Sequence, residues 1–275
     1  MPGLEPKFFA NCGAVRKQKG TPQAPHLTLP RVTHNPHQKQ MSLKILLLVL
    51  PNLLCVSSQL EFFGTTPLHV AAKKSDTSSF ATALSSHAES LDIVDEDGNT
   101  ALMWSAWEGH TSHVQALIQA GAQIDLQEND GNTALLKASY NGKDDAVKAL
   151  LDSGADVDKM NFYKMSPLMM ASMVGHTHIA RTLLDAGAKV NARDQGGVSA
   201  LHKASWMGFD ETVKVLIDGG ADVNMPRHDG ITPYALAESS TVEGRTQEQA
   251  NKVMKLLEDA GATKPKKEKI EMNDL

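Results

Sequence analysis

The chain has 275 residues, 41% of them hydrophobic and 5% aromatic, and a formal net charge of −5. That balance supports a buried core, excludes a chain disordered throughout, and with its many Ala and Leu suits helices. Residues 1–58 hold seven Lys/Arg against one acid, a net +6, whereas residues 64–262 hold 16 against 27, a net −11; the body of the chain therefore repels nucleic acid and anionic membrane.

Residues 1–40 carry six prolines among scattered Lys, Arg, His and Gln, with no helical or strand period. They read as a disordered basic leader, too poor in apolar surface to offset the entropy of ordering. Residues 41–58 differ, since ten of the twelve residues Ile45–Val56 are apolar. The run is too short to span a bilayer as a helix but matches the apolar part of a secretory signal. Val56-Ser57-Ser58 would allow cleavage before Gln59, and a start at Met41 would put the signal at the N-terminus. Two other readings stand open: a degenerate helix capping the array that follows, and a mitochondrial presequence, which the lack of arginine opposes. Cys12 and Cys55 both precede residue 59, so no disulfide framework or cysteine-based zinc site is expected in the body of the chain.

From Asp95 onwards one 33-residue unit recurs. Gly98, Gly131, Gly197 and Gly230 mark one step of it, with Lys164 in the open slot; Gly109, Gly142, Gly175 and Gly208 mark a second. Gly121, Gly154, Gly187 and Gly220, each followed by alanine, mark a third. Three series in one phase indicate stacked copies of a single supersecondary unit. Within Asp95–Gln127, Asp95-Glu-Asp-Gly98 reads as a tight turn and Thr100 as an N-cap. Ala101–Trp107 reads as a short first helix ending at Gly109. Val114, Leu117 and Ile118 have the spacing of a second helix, which Gly121 terminates, and Ile124 leads an extended return. Lys164 requires either a different turn or a strained backbone. The pairs Ser105-Ala106, Ala138-Ser139, Ala171-Ser172 and Ala204-Ser205 are small enough for helices to approach closely. Neither helix of a copy buries its apolar face alone, so stacking supplies the core.

With Thr66-Pro67-Leu68-His69 in the first copy and Gly220-Ala-Asp-Val-Asn224 in the fifth, the unit resembles the ankyrin repeat. The resemblance covers residues 64–262, within an array placed at 59–262. Six copies begin near Glu61, Asp95, Glu128, Asn161, Asp194 and Arg227. It implies an all-α solenoid of stacked helix-turn-helix units with β-turn tips. The end copies diverge: the first lacks the Gly-Ala pair, and the sixth carries an insertion around Ser239–Gln247 that lengthens the loop between its helices. Met103, Leu136 and Met169 stand where the first copy has its histidine, which puts the local side-chain networks in doubt. Residues 263–275 read as a charged flexible tail.

No catalytic chemistry is legible. No glycine-rich loop follows a strand, and no serine sits on a nucleophile elbow. His110/His113 and His176/His178 lack a third ligand at metal spacing and are expected to make surface or loop contacts. The 63 residues before Gly64 and 13 after Ala262 leave no room for a catalytic domain. A non-enzyme with no cofactor and no metal is expected.

The resemblance further implies that partners bind across the turn tips and the exposed side of the first helices. One first-helix slot there reads Trp107, Tyr140, Met173 and Trp206, and its neighbour Glu108, Asn141, Val174 and Met207. Phe162, Tyr163 and Met165 add to it at the fourth turn and Val198 at the fifth. These residues are either inter-repeat core or an aromatic and methionine strip that grips a partner segment. The acidic rim of Glu96, Asp97, Glu108 and Asp130 points to a protein with basic residues flanking an apolar core. A monomeric scaffold or adaptor is the function expected, with a regulatory or inhibitory subunit of an enzyme as the alternative and nucleic-acid binding third. A cytoplasmic location follows from the resemblance, and the secretory pathway follows if residues 41–58 act as a signal.

Overall fold

The structure, a computed structural model, describes residues 64–239 and 244–264. The expected leader (1–40), the apolar segment (41–58), most of the tail and the middle of the sixth-copy insertion lie outside the described residues.

Six helix pairs follow one another among the described residues. They are α1 (Pro67–Ala72) with α2 (Thr77–Ser86), α3 (Ala101–Glu108) with α4 (Thr111–Gln119), and α5 (Ala134–Tyr140) with α6 (Asp144–Asp152). Then come α7 (Pro167–Val174) with α8 (Thr177–Asp185), α9 (Ala200–Met207) with α10 (Asp210–Asp218), and α11 (Pro233–Glu238) with α12 (Gln247–Asp259). No β-strand forms among the described residues. The first helices start alike: Thr66, Thr100, Thr133, Ser166 and Thr232 each accept an amide of the opening turn, which satisfies a donor the helix cannot. Short connections follow, as at Gly109-His110, except in the sixth copy, where residues 239–246 separate α11 from α12.

Each pair packs on its neighbours in the series, as a solenoid requires. Leu102, Leu135, Leu168 and Leu201 from the first helices and Leu117, Leu150, Leu183 and Leu216 from the second are buried. Each contributes about 1.5–3 kcal/mol of apolar burial that an isolated pair would forgo. The small pairs are buried as expected, with Ser105, Ala106, Ala138 and Ser139 fully enclosed. First helices pack against each other more closely than second helices do, and the side of the stack that the first helices form is taken as its inner side.

The turn tips are tied by single backbone bonds of one register. The amides of Asn129, Phe162, Gln195 and His228 donate to the carbonyls of Asp97, Asp130, Tyr163 and Gly196 at 3.0–3.4 Å. Opposite the tips, the second loops are tied by side chains. Asp92, Asp125, Asp158 and Asn191 accept the amides of Gln123, Asp156, Lys189 and Asp222 in the next copy. The return after Gly121 is a turn at Ile124-Asp125, not the continuous extended segment expected; that turn brings Asp125 to the Asp156 amide.

Lys164 takes the positive φ of the glycines it replaces, +58°. The fourth tip therefore keeps the turn of the others and carries the backbone strain. The histidine networks survive where histidine does. Nδ1 of His69 faces Thr66 at 2.8 Å and its Nε2 reaches the Asn99 carbonyl at 2.9 Å. His202 bridges Ser199 to the Ile231 carbonyl in the same way. Met103, Leu136 and Met169 are buried, and apolar packing takes the network's place.

Candidate partner-binding face

The face is built from two positions on the same side of each first helix, three residues apart. The ladder position holds Trp107, Tyr140, Met173 and Trp206. Trp107 and Tyr140 are half-buried and stacked on each other, centroids 6.2 Å apart and planes 24° from parallel. Met173 is half-buried, and Trp206 stands exposed. The ladder is thus part inter-repeat packing, at copies two and three, and part open surface, at copy five. In the neighbouring slot Val174 is exposed and Met207 half-buried, while Asn141 donates to the Trp107 carbonyl at 3.1 Å.

At the fourth tip Phe162 is 60% and Tyr163 42% exposed, and toward the C-terminal ends of the first helices of copies four and five Val174 is 37% and Trp206 44% exposed. The Phe162 ring lies over Gly131, where an added Cβ would come within 2.7 Å of it. The absence of a side chain on the third tip is what seats the aromatic of the fourth. Met165 and Val198 are half-buried, and their backbone amides donate to Asn161 Oδ1 and Asp194 Oδ1.

The second position, three residues before the ladder, was missed in the sequence: Trp104, Lys137, Met170 and Lys203, of which Met170 is buried in the core and the other three are half-buried. The Trp104 indole donates to Asp95 Oδ2 at 2.7 Å, and the Lys203 ammonium meets Asp194 Oδ2 at 2.9 Å. Burial pushes the Asp95 carboxyl up, but the bonds from Trp104 and Asn99 outweigh it and hold the group below the usual carboxylate range. Lys73 places its ammonium 3.6 Å above the Trp104 ring, and Lys137 places its own 5.6 Å from Trp107. Burial draws the Lys137 amine below its ordinary value against the pull of Glu128, Asp95, Asp130 and Asp97. The nine-residue interval that pairs Asp95 with Trp104 and Asp194 with Lys203 was the available signal.

The histidines behave differently from expectation at one site. His113 is not a surface residue; it is buried and stacked on Phe80 of α2, ring centroids 3.8 Å apart. It joins the first copy to the second by packing. Among the described residues no group of three or more His, Cys, Asp or Glu could hold a metal ion, and no helix is long and apolar enough to cross a membrane.

A family model described as ankyrin repeats (3 copies) matches residues 38–128 and 135–227, more than half of the 275 residues. No curated protein matches the chain.

Proposed function

This chain belongs to the ankyrin-repeat family, and we propose that it is a non-catalytic scaffold or adaptor holding a partner's polypeptide segment across its inner face. Ankyrin repeats are protein-interaction modules. The observation that supports this use of the inner face is the grouping of Phe162, Tyr163, Val174 and Trp206 in two adjacent copies, all large, apolar and exposed. Large apolar side chains left exposed in such number are a liability unless something covers them. Aromatic anchors bury much area for little rotamer entropy, so they suit the centre of an interface.

The test compares affinity capture by the full chain with capture by a Trp107→Ala/Trp206→Ala variant. Helical content and melting temperature are followed in parallel. Specific partners lost by a variant that stays folded support the reading. The same partners retained at equal yield would remove the ladder from the binding site, and a variant that collapses would assign it to the core.

A further inference from the structure

We infer that the partner segment is bipartite: a block of arginine or lysine lies against copies two and three, and an apolar block against copies four and five. This rests on the inner face being the binding face and adds the chemistry and register of the occupant.

The tips change character along the stack. Those of copies two and three carry Asp95, Glu96, Asp97, Glu128 and Asp130. Among the described residues none of these five carboxylates belongs to an ion pair, and Glu96, Asp97 and Asp130 are exposed. Residues 161–164 of the fourth tip hold no acid. The acids of the fifth and sixth tips are neutralised within the chain, Asp194 by Lys203 and Asp229 by Arg227. Among the described residues, tip carboxylates outside any ion pair are therefore confined to copies two and three, where the single half-buried Lys137 faces four of them.

Aromatic chemistry divides the same way. Both tryptophans of copy two already hold cations, Lys73 of copy one on Trp104 and Lys137 of copy three beside Trp107. Of the five large apolar side chains exposed among the described residues, four are in copies four and five; the fifth, Val70, is at the far end, in copy one. A uniformly apolar segment would leave the acidic tips desolvated and unpaired. A uniformly basic one would leave Phe162 and Trp206 without a complement.

The probe is a phage-displayed library of random peptides, selected on the full chain and on two variants. Asp97→Lys/Asp130→Lys reverses charge at side chains that accept no hydrogen bond among the described residues, and Phe162→Ser/Trp206→Ala removes two exposed rings. Enriched peptides are expected to carry a basic and an apolar block in constant order. The charge-reversed variant should lose selection for the basic block alone, and the ring variant for the apolar block alone. A synthetic consensus peptide should bind the charge-reversed variant about tenfold more weakly at low salt, with a smaller gap at high salt. Should charge reversal unfold the chain, Asp97→Asn/Asp130→Asn keeps the comparison, with a smaller loss in the same direction. Apolar consensus peptides without a basic block, or a basic block indifferent to the charge variants, would overturn this inference and leave the groove reading standing. No enrichment at all would overturn both.

Discussion

The indole of Trp104 reaches back nine residues to the carboxylate of Asp95, N to O 2.7 Å, so one side chain both lines the inner face and fastens the turn that opens its own copy. Asp95 Oδ1 meanwhile accepts the amides of Asp97 and Asn99. The carboxylate is the hub of the second tip, and the tryptophan is its outer support.

Replacing Trp104 by phenylalanine keeps a ring for Lys73 but removes the donor to Asp95. Hydrogen bonds to a charged group contribute roughly 1.5–3 kcal/mol, and partial solvent access lowers that here to about 1–2 kcal/mol. Urea unfolding should show this loss at neutral pH. An unchanged midpoint would mean the bond adds nothing beyond what water supplies.

Lys164 and Gly131 make a contrasting pair. Lys164→Gly should stabilise the protein by about 0.5–1 kcal/mol, because a positive φ strains a residue with a Cβ and not glycine. Gly131→Ala should destabilise it by more than that, since the new Cβ meets both the ring and the amide nitrogen of Phe162 at 2.7 Å. Thermal melts of the two variants against the parent decide both signs.

Acid sensitivity follows from the buried histidines. Burial lowers His202 from 6.5 to about 4 and lowers His69 and His113 in the same direction. Above pH 6.5 the His202 ring is neutral in both states and its contribution is complete. Between 6.5 and about 4 the unfolded chain takes up the proton first, so stability falls with pH, by on the order of 2–3 kcal/mol across the window. His202→Leu borrows the residue that the third copy uses at Leu136. It should flatten the fall measured by urea unfolding at pH 7.5 and 5.0 without abolishing it, because His69 and His113 remain. An equal slope in parent and variant would mean that His202 is not responsible.

The architecture was legible because its signals are local and repeat in phase: a cap such as Thr100, a helix-ending glycine such as Gly109, and apolar spacing such as Val114/Leu117. The ties between copies were not. Asp92 and Gln123 lie 31 residues apart, and in a loop an aspartate reads as an ordinary turn former. His113 was expected to make surface or loop contacts because it falls near the start of the second helix, whereas its stacking on Phe80 depends on how two copies dock. Trp104 was passed over as helix interior although it stands one turn from Trp107, on the same side. Its aspartate partner becomes visible only when the tip folds back on the helix.

Trp107 and Trp206 occupy one slot in the repeat but differ in what they touch, and this separates stability from binding. Trp107 is half-buried and stacked on Tyr140, and its ring lies near the Lys137 ammonium; Trp107→Ala should cost about 2 kcal/mol through lost burial and ring contact. Trp206 is 44% exposed, so Trp206→Ala should cost less than about 1 kcal/mol. On the reading proposed above, each change weakens capture of a partner segment. Trp206→Ala is the cleaner probe because fold and binding then respond by very different amounts. Urea unfolding beside peptide titration of the two single variants measures both. Equal losses of stability would show that the fifth copy packs its tryptophan as tightly as the second, and capture unaffected by Trp206→Ala would remove the open end of the face from the binding site.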